Sequence, residues 1–274
     1  MSKLLTRAHI RSEIGIVLLL SLGASAIYSI VSIVYRLTSV TPLNQQTATI
    51  NRPLSDQAIF DLIYQLLSIS LGVVPVALVM YLLWVLPGRM RSISESGIES
   101  AESIAADASM NPFTRLGFDF TRIWQDIGFG LALCAAIGIP GLVLYLGGRA
   151  MNITVTIVPT VLDSHWWTVP VLVLLALKAA LLEEVILNGY LFARLRLLNW
   201  TPWKIIVAVA ILRASYHLYQ GIGPFFGNLV MGVVFAWVYQ RWGRMMPLVI
   251  AHFVIDLVSF VGYPLALTLF PGIF

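Results

Sequence analysis

The sequence predicts an all-α polytopic integral membrane protein, a helical bundle with seven to eight transmembrane helices. Three observations carry that expectation. First, 59% of the 274 residues are hydrophobic and only 11% are charged, against about 25% charged in a soluble globular domain. Second, the mean hydropathy is +0.88, outside the range of water-soluble chains. Third, the apolar residues gather into seven stretches, each compatible with the ~20 residues needed to cross a bilayer. They lie near 14–35, 59–86, 127–147, 168–192, 203–220, 225–241 and 246–270. A break in the last stretch near Gly262 and Pro264 would make eight.

The first stretch follows Lys3, Arg7 and Arg11, and Ala24-Ser25-Ala26 looks like a signal-peptidase site. The apolar run continues beyond it to Val34, so it reads as an uncleaved helix. Two polar segments punctuate the chain. One is 41–57, "TPLNQQTATINRPLSDQ". The other includes 92–112, "SISESGIESAESIAADASMNP", a solvated linker with room for a short surface helix. There is no internal repeat. Residues 1–126 form N-terminal transmembrane helices with polar loops. Residues 127–274 form a C-terminal transmembrane bundle within one structural domain.

Lys and Arg set the expected orientation. With a cytoplasmic N-terminus, Lys3, Arg7, Arg11, Arg89, Arg91, Arg115, Arg122, Arg194, Arg196, Lys204, Arg241 and Arg244 fall inside. Arg36, Arg52 and Arg149 fall outside. The protein is therefore expected in a cell membrane with its N-terminus in the cytoplasm. Trp166, Trp167, Trp200, Trp203 and Trp242 lie near span ends, as interfacial aromatics do. The net charge of +4 is then a topology signal, and membrane lipid is the expected partner rather than nucleic acid. A single cysteine, Cys134, forms no internal disulfide.

Chemistry is expected in the C-terminal half. Burying a charge at mid-bilayer costs at least about 2.5–3.5 kcal/mol. Yet the last four stretches carry Lys178, Glu183, Glu184, Arg213, His217, His252 and Asp256. Residues four apart share a helical face and adjacent ones diverge by about 100°. Glu184 therefore lies over Asn188, Arg213 under His217, and His252 under Asp256. Three short polar stripes on three apolar helices are best accommodated by convergence on one pocket, with Glu183, His217 and His252 lining it. Against this, hydropathy alone puts His217 about 10 Å along the membrane normal from Glu183 and His252, at 1.5 Å per residue.

The segments "EEVILNGYL", "SYHLYQG" and "HFVIDL", in that order over residues 174–258, resemble the CPBP family of intramembrane proteases. That family includes the CAAX prenyl proteases and the bacteriocin-processing and immunity-associated bacterial proteins. Its motifs are EExxxR, FxxxH and HxxxN or HxxxD. Two departures stand out. Asn188 occupies the place of the motif-one arginine, and Arg213 that of the motif-two phenylalanine. Arg213 is accordingly expected to pair with Glu184 in place of the missing cation.

The resemblance implies an intramembrane endopeptidase in which a glutamate and a histidine activate water. It assigns Glu183 as general base, His217 as the group that holds or polarises the water, and His252 and Asp256 to the motif that stabilises the oxyanion. An ionised Asp256 donates no hydrogen bond, so His252 is the expected donor and Asp256 the group that orients its ring. Glu184, Asn188 and Arg213 support the site. The substrate class is a peptide or protein, lipidated and membrane-anchored ones included.

A metal-free hydrolysis is the expectation, and no metal ligands are assigned, because no pair has the spacing of HExxH. Zinc on Glu183, His217 and His252, making an intramembrane metalloprotease, is the alternative. The other readings are a proton- or ion-coupled transporter and an inactive family-like scaffold. Carriers usually show symmetry between halves, which this chain lacks. Lys178, His165 and His9 are read as structural, and Asn228 is expected either to bond across helices or to line the cavity.

Overall fold

The computed structural model describes residues 6–85, 111–158 and 165–269. The possible surface helix of the 92–112 segment lies almost wholly outside the described residues. The chain runs through α1 (Arg7–Leu19), α2 (Leu22–Thr38), β1 (Thr47–Thr49), α3 (Ala58–Gly72), α4 (Val74–Val85), α5 (Ile123–Ala150) and β2 (Thr156–Val158). It continues through α6 (Thr168–Glu184), a π-helical segment (Val185–Leu191), α7 (Phe192–Leu197), α8 (Pro202–Tyr216) and α9 (Ile222–Trp242). It ends in α10 (Met246–Leu257), a second π-helical segment (Val258–Gly262) and α11 (Tyr263–Leu269).

The fold class is all-α, a bundle with lipid-type exteriors. The spanning count differs from seven to eight. Among the described residues four helical stretches are long and apolar enough to cross: Ala58–Val85, Ile123–Ala150, Ile222–Trp242 and Met246–Ala266. The α1–α2 pair makes a fifth if counted as one span, bent by 57°. Ser21 stands at the bend and its hydroxyl donates to Val17 O at 2.6 Å.

The shortfall has two physical sources. Helix α8 has 15 residues, a length of about 22 Å against a ~30 Å hydrocarbon core. Helix α6 has 17 α-helical residues and carries Lys178, Glu183 and Glu184. Each buries one face in the bundle and turns apolar residues outward on the other, Leu174 and Leu177 on α6 and Val207 and Ile211 on α8, so hydropathy reads both as spans.

Segment 41–57 also holds more order than a loop. Thr47, Ala48 and Thr49 pair in parallel with Thr156, Ile157 and Val158. Asn44 and Asn152 side chains bond at 2.6 Å, and Arg149 donates to Asn44 O at 3.0 Å. These contacts tie the two non-helical segments into one cap.

The centre of the molecule is the first π-helical segment, whose seven residues are all buried. Helices α8 and α9 pack closely because Gly232 has no side chain. A Cβ there would sit 2.7 Å from Ala210 Cα and 3.4 Å from Arg213 Cδ. By contrast Ile139, Leu142, Val143 and Leu146 of α5 face outward, as lipid-facing residues do.

At one end, Arg244 in the α9–α10 turn takes Asp126 bidentately (Nε 2.9 Å, Nη2 2.6 Å) and Asp119 at 3.1 Å. The Asp119 carboxyl is held below the ordinary aspartate value, first by the Thr121 hydroxyl and backbone N–H.

Candidate active site

The site is built where the buried faces of three helices meet. Helix α6 delivers Glu183 and Glu184 at its last turn, directly before the helix widens into i→i+5 bonding. Helix α8 delivers Arg213 and Tyr216 from its own last turn and His217 at its C-cap. Helix α10 delivers His252 and Asp256, one turn apart.

The shortness of α8 removes the axial mismatch expected from hydropathy. The helix stops inside the bundle, and His217 begins a tight turn, Leu218–Gln220. Gly221 closes that turn at φ 108°, a conformation that glycine alone adopts without strain. Ile222 N–H then donates to Ile153 O at 3.2 Å. Ser29 of α2, 3% exposed, accepts the Tyr219 N–H at 2.7 Å. The turn that carries His217 is thus held from two sides.

Glu184 is fully buried and fully occupied. Oε1 receives Arg213 Nη2 at 2.5 Å and His252 Nδ1 at 2.7 Å. Oε2 receives Asn188 Nδ2 at 2.7 Å. Arg213 is also fully buried, with its guanidinium carbon 5.5 Å from the Phe235 ring centre. Arg213 therefore reaches Glu184, and its Nη1 lies 3.4 Å from Glu183 Oε2.

Glu183 is different. Its Oε2 accepts the Tyr216 hydroxyl at 2.6 Å, while His217 Nε2 and His252 Nε2 each stand 3.9 Å away. That is beyond hydrogen-bond range. Among the described residues neither ring nitrogen of His217 has a hydrogen-bond partner, although both are buried. His252 Nε2 lies 3.6 Å from Asp256 Oδ2. The side chains of His217 and Asp256 are each 19% exposed, while those of Arg213 and Glu184 are at 0%. The cluster is sealed on the Arg213 side and opens on the His217 and Asp256 side.

The structure thus brings Glu183, Glu184, Asn188, Arg213, His217, His252 and Asp256 together. It corrects one assignment. The carboxylate that orients His252 is Glu184, through Nδ1, whereas Asp256 faces the other nitrogen at 3.6 Å. Adjacent positions on α6 diverge, but His252 and Arg213 are wide enough to touch both acids.

Sequence reasoning did not single out Tyr216 or Ser29. Tyr216 sits inside the quoted "SYHLYQG", but a tyrosine beside a histidine has no spacing rule that marks it. Among the other polar residues, Lys178 packs its stem near Gly72 of α3. Asn228 donates to Pro224 O in its own helix at 3.0 Å. His165 stacks on Trp167, ring centres 4.7 Å apart.

A resident zinc does not fit the donors as placed. Among the described residues no group of three His, Cys, Asp or Glu side chains has the spacing of a metal site. Bonds of about 2.0–2.1 Å in a tetrahedron bring neighbouring ligand atoms to roughly 3.4 Å. Here Glu183 Oε2 stands 3.9 Å from Nε2 of each imidazole and already accepts Tyr216.

With this geometry in hand, the class is that of an all-α multi-pass membrane protein with an interior carboxylate–histidine site. Comparison with known proteins places the site-bearing segment more narrowly. Residues 165–258 match the family described as Rce1-like, type II CAAX prenyl endopeptidases. The match covers about a third of the chain and contains Glu183, Glu184, Asn188, Arg213, Tyr216, His217, His252 and Asp256. It is similar, at family level, to CAAX-protease-like intramembrane endopeptidases, within the CPBP resemblance. No curated protein and no solved structure matches the chain.

Proposed function

We propose that this protein is an intramembrane or membrane-proximal endopeptidase that hydrolyses a peptide bond with water activated by Glu183 and His217. One observation carries the reading. Glu183 faces two imidazole nitrogens across gaps of 3.9 Å, whereas its neighbour Glu184 is held by Arg213, Asn188 and His252. Two polar atoms separated this way are too far apart to bond and close enough to share one water molecule.

In the reaction, Glu183 takes a proton from that water as its oxygen bonds to the substrate carbonyl carbon. His217 holds the water. His252, with Nε2 protonated, donates to the oxyanion that forms. The C–N bond then breaks as the proton passes to the leaving nitrogen. One water is consumed and Glu183 ends as it began. Arg213 and Asn188 hold Glu184, and Glu184 holds His252. Asp256 flanks Nε2 at the mouth.

The substrate class is a peptide or protein at the membrane, lipidated or membrane-anchored ones included. The Lys and Arg distribution supports a cell-membrane protein with a cytoplasmic N-terminus. The test is hydrolysis of a peptide library, with and without prenyl groups, by purified protein beside Glu183→Ala. Cleavage by wild type and none by the variant supports the reading. Equal cleavage, or no cleavage by either, overturns it. A chelator arm decides the metal question: activity should survive chelation. Loss on chelation and recovery with zinc would replace the metal-free route.

A further inference from the structure

We infer that Tyr216 is a positioning residue for the proposed catalytic carboxylate: its hydroxyl, 2.6 Å from Glu183 Oε2, sets the orientation in which Glu183 meets water. The inference rests on the proposed endopeptidase reading and names a residue at an unspecified position of the second motif.

Three features separate this contact from an ordinary buried tyrosine finding an acceptor. First, its acceptor is the acid oxygen that stands 3.9 Å from Nε2 of both imidazoles. Glu184, by contrast, is held by Arg213, Asn188 and His252. Second, among the described residues all hydrogen bonds to Glu183 reach Oε2, from Tyr216 at 2.6 Å and from Arg213 at 3.4 Å. The carboxyl of a glutamate turns broadly about its last torsion. A short charge-assisted bond from a phenol is the strongest restraint on that rotation here. Third, Tyr216 is itself fixed. It is 6% exposed and ends α8, and its ring packs against His217 with centres 4.8 Å apart. One short helix end therefore carries both the group that holds the base and the group proposed to hold the water. A shift of that helix end would move both groups together.

Tyr216 keeps its proton throughout; it neither attacks nor donates to substrate. Its removal should lower turnover while leaving substrate binding alone. The experiment measures kcat and KM for peptide hydrolysis by wild type, Tyr216→Phe and Glu183→Ala, with melting in detergent as the control for folding. The expected result for Tyr216→Phe is a fall in kcat of about 10–100-fold, with KM within about two-fold and a melting shift below about 5 °C. If Tyr216→Phe does not fold, 3,5-difluorotyrosine at position 216 keeps the ring and strengthens the donor. A stronger donor makes Glu183 a weaker base, so kcat should fall about two-fold or more at unchanged KM.

Wild-type kcat in a folded Tyr216→Phe, or in the difluorotyrosine protein, beside an inactive Glu183→Ala overturns this inference and leaves the endopeptidase reading standing. A raised KM at unchanged kcat assigns Tyr216 to substrate binding and also overturns it. A wild type with no Glu183-dependent hydrolysis removes both.

Discussion

Two buried polar clusters share one residue stretch of this protein, and they are built to opposite rules. At one end of the π-helical segment, Glu183 and Glu184 meet Arg213, His217, His252 and Asp256. Beyond its other end, Arg194 of α7 meets Glu13 of α1 at 2.7 Å. Tyr190 donates to the same Glu13 oxygen at 2.9 Å, and Arg194 Nη2 caps Leu82 O at 3.0 Å. The Arg194 cluster is closed: one acid, one guanidinium, a phenol and a carbonyl, with the Arg194 side chain 1% exposed. The Glu183 cluster is open. It has three acids to one arginine. Arg213 Nε, Asn188 Oδ1 and both nitrogens of His217 are buried without a hydrogen-bond partner among the described residues.

A buried ion pair stabilises only when its remaining donors and acceptors are satisfied. The first arrangement obeys that rule and fastens α1 to the bundle. The second departs from it, and such departures gather at functional sites.

The contrast can be broken by substitution, and the largest effect should be on activity. Glu183→Gln should reduce hydrolysis by about a thousandfold or more, since the proposed base is lost. The folded protein should melt near the wild-type temperature, because glutamine can still accept from Tyr216. A parallel collapse of stability and activity would show Glu183 to be structural, like Glu13.

Arg194→Ala should do the reverse. It leaves Glu13 without its cation and should destabilise the fold by about 3–5 kcal/mol. Turnover per folded molecule should stay unchanged, as read by melting in detergent together with active-site-normalised rates. A selective loss of turnover would erase the distinction between the clusters.

Arg213→Ala should also destabilise, by a comparable or somewhat smaller amount because Asn188 and His252 remain on Glu184. Combining Arg213→Phe with Asn188→Arg, the arrangement the CPBP motifs imply, should recover most of that loss in a melting series. If the double variant melts no higher than Arg213→Phe alone, the two departures are unrelated.

The smallest effect should come from Asp256→Asn. The carboxylate stands 3.6 Å from His252 Nε2, too far for a hydrogen bond. Its replacement should change kcat by no more than about tenfold and stability by no more than about 1 kcal/mol. A loss as large as that of Glu183→Gln would place Asp256 among the reacting groups.

What composition and periodicity determine here is the solvent. Apolar stretches of membrane length demand helices, because a backbone in lipid must satisfy its own hydrogen bonds. The same argument locates the chemistry: ionisable side chains in such stretches have no stable place except together. The polar stripes of Glu184–Asn188, Arg213–His217 and His252–Asp256 were legible for that reason, and so was the pairing expected of Arg213 with Glu184.

Tertiary structure alone decided the rest. Hydropathy measures how apolar a segment is, whether lipid or protein surrounds it. It could not reveal that α8 stops inside the bundle and lifts His217 to the level of Glu183. The side-chain assignments were hidden for a related reason. Spacing along a helix shows which residues share a face, but not which carboxylate a ring on another helix will meet. His252 therefore turned its Nδ1 to Glu184 across 68 residues of chain, while Asp256, one turn away on its own helix, stayed on the far nitrogen. Tyr216 was unreadable because its role depends on a hydroxyl reaching a neighbouring helix. That distance is set by where α8 and α6 come to rest in the bundle, and local sequence does not encode it.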